Sequence, residues 1–191
     1  MLRQMCSDEE LNALPTPNSP LRCTLPNVGG VEIRPYEDSD LDAIVEFSLR
    51  AWRPVFESLR QVLGEPIFAR LHQPEWAALQ EEAVRSSCTS AERDVFVAIA
   101  DGRPVGFATV ALNAFHEGMG VVDMIAVDPQ HQRRGIARQL MERSAEHMRA
   151  HGMDIAAVGT GGDAGHGPAR ALYEALDYTA LPGVRYLKLL D

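Results

Sequence analysis

Residues 124–127 form a short apolar run, Met-Ile-Ala-Val, which passes through Asp128 and Pro129 into a polar turn, Gln132-Arg133-Arg134-Gly135-Ile136-Ala137. From the turn onward the apolar residues Ile136, Ala137, Leu140, Met141, Ala145 and Met148 recur every three to four positions, the period of a helix packed along one face. The first amides of such a helix have no partner within it and point back toward the strand end. The helix dipole adds partial positive charge there, so the position suits a phosphate group. Gly135 removes a side chain where backbone must approach a ligand, and Ala137 keeps the following turn open. Arg133, Arg134 and Arg138 place three permanent cations around the helix start. Each is locally unfavourable by about 0.3–1 kcal/mol, and an anionic ligand is the natural compensation.

These residues need a scaffold to hold them. Residues 31–34 read as a strand, and Asp38-Ser39-Asp40 then offers helix caps. A helical pattern runs to about Arg53, Pro54 either kinks it or starts the next helix, and the pattern continues from Val55 to Gly64. A second helix is expected over residues 75–84. Residues 94–100 read as a buried strand, Asp101-Gly102 as a two-residue hairpin, and residues 104–112 as the returning strand. Gly118 and Gly120 turn the chain into a third strand over residues 121–127, closed by Pro129. After the long helix, Gly152 sits where C-terminal glycines sit. Residues 154–158 read as another strand, and a Gly-rich loop runs from Gly159 to Gly167. Pro168 suits the first turn of a last helix that places Ala169, Leu172, Tyr173 and Leu176 on one face. Residues 184–190 read as a closing strand. The expected architecture is a single α+β domain over residues 31–191, with helices flanking a mixed central sheet. Residues 1–30, carrying Pro15, Pro17, Pro20 and Pro26, read as a loop-rich extension in which Ser7 and Glu10 have the spacing to begin a short helix.

Composition narrows the function classes. A net charge of −9 disfavours a nucleic-acid binder and leans toward a cationic partner. No apolar run reaches the roughly 20 residues of a membrane span, and no signal core precedes Ser7, so no membrane association and a cytoplasmic location are expected. Cys6, Cys23 and Cys88 have no metal or disulfide spacing. His72, His116, His131, His147, His151 and His166 are scattered, and no metal site is expected. Gly159-Thr160-Gly161-Gly162-Asp163-Ala164 matches a dinucleotide-binding pattern, but too little chain follows for the fold that uses it. It reads instead as a flexible loop at the mouth of a ligand site. Neither a P-loop nor a G-x-S-x-G elbow occurs.

At Gln132-Arg133-Arg134-Gly135-Ile136-Ala137 the chain resembles the GNAT N-acetyltransferase superfamily, whose signature is Gln/Arg-x-x-Gly-x-Gly/Ala. The resemblance extends over roughly residues 31–191 in element order. It implies a mostly antiparallel sheet that splays at the acyl-CoA strand, and acetyl-CoA as co-substrate. It further implies that the pantetheine arm runs along Ile125, Ala126 and Val127, with the pyrophosphate on the amides of Arg133 through Arg138. A second signature, Asn-x-x-Ala-x-x-Leu-Tyr, reads here from His166 to Tyr173, with Ala169, Leu172 and Tyr173 matching and His166 in place of Asn. The resemblance thereby assigns His166 a contact to the cofactor and Tyr173 the proton that the leaving thiolate needs. A model phenol, with a pKa of about 10 against about 8.5 for a thiol, can supply it without a metal. Asp123, two residues before Ile125 and so expected on the same face, is the first choice for the base that frees the amine; Glu117 and His116 in the preceding turn are others. A backbone amide near Ile125 or Ala126 is expected to meet the oxyanion.

The expected activity is transfer of an acetyl group to a primary amine of a small molecule, a peptide N-terminus or a lysine. The alternative is a binding module of the same fold that senses acyl-CoA without turnover. Trp52, Phe56 and Trp76 are candidates for lining the acceptor pocket. The resemblance is also compatible with a homodimer.

Overall fold

The computed structural model describes residues 30–73 and 75–190. The expected N-terminal extension, with its short helix at Ser7, lies outside these residues but for Gly30. The elements run β1 (Val31–Pro35), α1 (Leu41–Leu71), α2 (Trp76–Thr89), β2 (Asp94–Ala100), β3 (Arg103–Ala111), β4 (Met119–Val127), α3 (Ile136–Ala150), β5 (Ile155–Val158) and α4 (Gly167–Glu174). The strands form one sheet in the order β1-β2-β3-β4-β5. Strands β1 to β4 pair antiparallel, and β5 joins β4 in parallel. The β2–β3 hairpin turns on Asp101 and Gly102, both with positive φ (49° and 73°), as a two-residue turn of this type requires.

Each face of the sheet carries its own core. On one, Val31, Phe96, Ala108, Val122 and Val127 pack with Ile136, Leu140, Met141 and Met148 of α3 and with Tyr173 of α4. Helix α3 lies so close that a Cβ on Gly120 would stand 2.6 Å from Cγ of Met148. On the other face, Ile44, Val45 and Phe47 of α1 and Val84 and Cys88 of α2 cover Val95, Val97, Phe107 and Ala126. Phe107 sits edge-on to both Phe47 and Trp52, with ring centroids 6.1 and 6.2 Å apart. Cys88 is 4% exposed, and burial pushes its thiol up to about 12.

The entry to α1 is fixed by charge. Arg34 donates to both carboxylate oxygens of Asp40, at 2.7 and 2.8 Å, and Asp40 also accepts from the Glu37 amide at 2.9 Å. Burial alone would raise the Asp40 carboxyl; these bonds outweigh it and hold the group below its ordinary value.

Two sequence expectations change. The break in α1 falls at Gly64 (φ 72°, ψ 156°), not at Pro54. Gly64 takes a backbone conformation that side chains disfavour, and Pro66 then stands in the first turn of the resumed helix, where a missing amide costs nothing. The strand expected over residues 184–190 does not form. No described residue pairs with that segment, and a strand without a partner leaves its backbone groups unsatisfied. Leu181, Tyr186 and Leu190 are 97%, 89% and 88% exposed.

Candidate active site

The sheet opens where the site is expected. β5 pairs with β4 only from Met119 to Val122, while β4 continues to Val127 against β3. The β5-facing backbone of residues 123–127 therefore has no strand beside it among the described residues. Ile125 is half-buried against the α3 core, and Ala126 and Val127 are buried. Such an edge can pair in strand fashion with the amides and carbonyls of an extended ligand. A β-bulge lies at the mouth of the opening. Val122 pairs with Val110 and Met124 with Thr109, so Asp123 has no opposite residue. Thr109 Oγ1 accepts from the Met124 amide at 3.1 Å and from Ser87 Oγ at 3.2 Å. The bulge breaks the strict alternation from which Asp123 was expected to share a face with Ile125. Asp123 instead receives Nε of Arg93 at 2.6 Å.

Below the opening, the turn into α3 has the form expected of an anion cradle. Gly135 is the N-cap with φ 78° and ψ 3°, and no side chain caps the helix. The first helical bond runs from the Gln139 amide to the Gly135 carbonyl at 3.1 Å. A Cβ built on Gly135 meets nothing within 4 Å, so the space above it is open. Arg133 also has positive φ (63°). Gln132 Nε2 donates to the Val127 carbonyl at 3.1 Å and ties the turn to the end of β4. Ile136 presents only its backbone, because its side chain is core at 2% exposure. The three arginines divide. Arg134 donates to the Gln130 carbonyl at 3.2 Å, and Arg138 reaches the Ala175 carbonyl at the end of α4 at 3.1 Å. Arg133 makes no side-chain bond among the described residues. The amides, the open glycine and the guanidinium groups fit a pyrophosphate, and the unpaired edge of β4 fits the extended arm attached to it.

The Gly-rich loop before α4 is tightly built. Asp163 accepts from the Gly165 amide at 3.0 Å and binds Nδ1 of His166 at 2.5 Å. The Gly165 amide also donates to Ser58 of α1 at 2.9 Å. Arg170 donates to the carbonyls of Gly161 and Asp163 at 2.5 and 2.8 Å. Burial would raise the Asp163 carboxyl, but hydrogen bonds from Ser58 and His166 hold it below its ordinary value. A Cβ on Gly161 would lie 2.5 Å from Nδ1 of His166, and one on Gly165 would lie 2.8 Å from Cβ of Ser58. Gly161 of the dinucleotide-like pattern, and Gly165 just beyond it, are therefore there for close packing, whereas Gly159 and Gly162 face open space. His166 is the N-cap of α4 but does not cap it with its side chain; Asp163 holds the ring instead. Asp163, Ser58 and Arg170 were missed in the sequence. The spacing Asp163-x-x-His166 was the available signal, and it was hidden inside the glycine pattern.

Tyr173 lies two turns further along α4, at seven residues' spacing and so toward the same side as His166. It is 8% exposed. Burial first, and the neighbouring Tyr178 second, push its phenol up to about 12. No described side chain bonds its hydroxyl.

The aromatic candidates separate. Trp52 belongs to the core beside Phe107. Phe56 and Trp76 stack at 4.4 Å and line an open pocket of about 290 Å³ with Arg53, Glu57, Arg60 and Phe68. Glu117 and His116 lie exposed in the turn before β4. No cluster of metal-ligating side chains occurs among the described residues, and no described helix is long and apolar enough to cross a membrane.

The Acetyltransferase (GNAT) family model matches residues 56–178. The chain belongs to this family. Streptothricin acetyltransferase of Streptomyces lavendulae is 31% identical over 96 residues, which is 50% of this chain and 49% of that protein. The chain thus matches about half the length of this curated relative. The fold is similar to that of the aminoglycoside N-acetyltransferase AAC(6')-Iy solved with CoA, with a TM-score of 0.59, 18% identity, and 86% and 98% of the two chains covered. It is also similar to a ribosomal-protein alanine N-acetyltransferase from Escherichia coli, with a TM-score of 0.54, 23% identity and 76% of each chain covered. At these identities the structural likenesses speak for the fold.

Proposed function

We propose that this enzyme acetylates a primary amine of a small cationic molecule by direct attack on acetyl-CoA held in the opening between β4 and β5. The observation that carries the reading is the parting of β4 from β5 after Val122, directly above the uncapped start of α3. Acetyl-CoA supplies the activated acyl group as a thioester. The amides from Arg133 to Arg138 hold the pyrophosphate, with Arg133 and Arg134 beside it. The backbone of Ile125, Ala126 and Val127 aligns the pantetheine arm, and His166, fixed by Asp163, adds a polar contact from the far side. An amide at Ile125 or Ala126 faces the carbonyl oxygen as it gains charge.

Tyr173 donates a hydrogen bond from its hydroxyl to the departing sulfur. With its phenol at about 12 it is protonated throughout the neutral range, the form a general acid needs. A thiol ionises near roughly 8.5, so complete transfer to a free thiolate is uphill. The phenol contributes mainly a hydrogen bond that strengthens as charge builds on sulfur. An alkylammonium must lose a proton before it attacks; Asp123 accepts it, directly or through water, while Arg93 fixes its carboxylate.

The acceptor sits against α1 and α2. The stacked Phe56 and Trp76 offer π faces, and Glu57 a carboxylate, to an ammonium group, while Arg53 faces a hydroxyl or carbonyl of the same molecule. The names of the streptothricin and aminoglycoside acetyltransferases support a small-molecule amine acceptor, and so does the net charge of −9. Incubation with acetyl-CoA and a panel of aminoglycosides, streptothricin, amino acids and peptides, followed by free-thiol release, tests the reading. Turnover is expected on polycationic small molecules first. Tight acetyl-CoA binding without turnover on any amine would favour the acyl-CoA sensor instead.

A further inference from the structure

Asp128 is the first residue after β4, and it is buried at 8% exposure. Its amide donates to the Val105 carbonyl of β3 at 2.8 Å, and its carbonyl accepts from the His131 amide at 2.7 Å. One carboxylate oxygen, Oδ1, accepts from the Gln130 amide at 3.1 Å. The other, Oδ2, accepts from Nη2 of Arg50 on α1, 78 residues earlier in the chain, also at 3.1 Å. The second terminal nitrogen of Arg50 donates to Glu46, one turn back on α1, at 2.6 Å, and this pair orients the guanidinium. From Asp128 the turn runs into the α3 start through further bonds. Arg134 donates to the Gln130 carbonyl, and Gln132 donates to the Val127 carbonyl. Arg50 thereby joins α1 to the turn that precedes α3.

We infer that Arg50 is a positioning residue for the cofactor: it neutralises Asp128 and holds the turn over residues 128–134 in the shape that presents the α3 amides to a diphosphate. The inference rests on the reading of that turn as the cofactor cradle. Two effects follow from removing the guanidinium. A carboxylate left buried without its cation is costly, and the chain relieves that cost by moving Asp128 toward water, which carries Gln130 and Arg134 with it. An uncompensated carboxylate on the turn that meets the diphosphate also repels it. The strut has a second end. Arg50, Arg53 and Glu57 are spaced three and four residues apart, and so lie on one side of α1. Arg53 and Glu57 line the pocket of the stacked aromatics. One stripe of α1 therefore braces the cofactor turn and, on its next turns, walls the pocket.

Calorimetric titration of the full chain with free CoA tests the strut without an amine acceptor. Arg50→Met is expected to raise the Kd for CoA about 10-fold, the scale of a lost hydrogen bond between charged groups. The Arg50 side chain is 40% exposed, so the variant should fold, with unchanged far-ultraviolet dichroism. Arg50→Lys keeps the charge and should bind CoA within about threefold of wild type. The double variant Arg50→Met/Asp128→Asn carries neither charge and should recover most of the loss, to within about threefold of wild type. A residue that merely held α1 in place would not be rescued by removing the second charge. Wild-type binding left unchanged by Arg50→Met would overturn the inference and leave the cradle standing. A double variant as weak as Arg50→Met, or a lysine variant as weak, would overturn it too. A wild-type chain that binds no CoA would sink the cradle itself, and the strut with it.

Discussion

Helices α3 and α4 both follow a strand of the same parallel pair, pack on the same face of the sheet and begin without a side-chain cap. Their starts are otherwise opposites. The α3 start is vacant: Gly135 in a left-handed conformation, nothing within 4 Å of where its Cβ would be, and amides left for a ligand. The α4 start is crowded: Asp163, His166, Arg170 and Ser58 bond across it, and two glycines admit backbone where a methyl group would collide. The contrast shows two ways of making a strand-to-helix turn useful. One recruits the ligand into backbone valences left open, and the other spends those valences on fixing a side chain. Conformation decides which: Gly135, the one glycine of the α3 turn, has positive φ, whereas none of the glycines from Gly159 to Gly167 does.

If α4 is the chemical side of this pair and α3 the holding side, substitutions should divide accordingly. The largest effect is expected from Tyr173→Phe, which should lower kcat by about 100-fold while acetyl-CoA affinity, read by calorimetry, stays within about twofold, a change worth under roughly 0.5 kcal/mol. An unchanged kcat would remove the phenol from the mechanism. Next, Gly135→Val should raise the Kd for acetyl-CoA about 30-fold, or about 2 kcal/mol, because a β-branched residue resists positive φ and fills the open cradle. An equal loss with Gly135→Ala would assign the effect to conformation alone.

Asp163→Asn should cost roughly 10-fold in kcat/KM, the scale of a lost hydrogen bond to a charged group. It also carries a pH signature. The folded carboxyl titrates below its ordinary value, so its contribution to stability is complete above that ordinary value and is lost as pH falls through the lower folded one. Thermal melts of the wild-type enzyme should therefore fall more steeply than those of Asp163→Asn as pH drops from 4 toward 2; parallel curves would mean that the clamp does not depend on charge. The smallest effect is expected from Arg133→Gln: a rise of about fivefold in Kd for acetyl-CoA, near 1 kcal/mol, shrinking as salt is added. A loss insensitive to salt would mean Arg133 acts by shape.

The sequence made the α3 side legible because its chemistry is local. Strand, turn and helix are contiguous, and Gly135, Gln132 and the arginines act within a few residues of one another. The α4 side was read only as far as the match of Ala169, Leu172 and Tyr173, since the partners that fix His166 come from α1 and from a loop with a misleading glycine pattern. The bulge at Asp123 and its bond to Arg93 were not legible for a related reason: a bulge depends on the neighbouring strand, here on Thr109, and leaves no mark on its own strand's alternation. The strand expected at residues 184–190 has the right composition, but pairing is a property of two segments, and the second was not in the segment being read.

Cys88 carries a practical consequence. Its sulfur is sealed between α2 and the sheet, and burial keeps the group un-ionised at assay pH; only a thiolate reacts readily with disulfide reagents. With Cys6 and Cys23 replaced by serine, labelling of the remaining sulfur becomes a clock for α2 lifting away from β2 and β3. Its rate, followed with and without an amine bound against Phe56 and Trp76, would report how firmly the acceptor wall is seated.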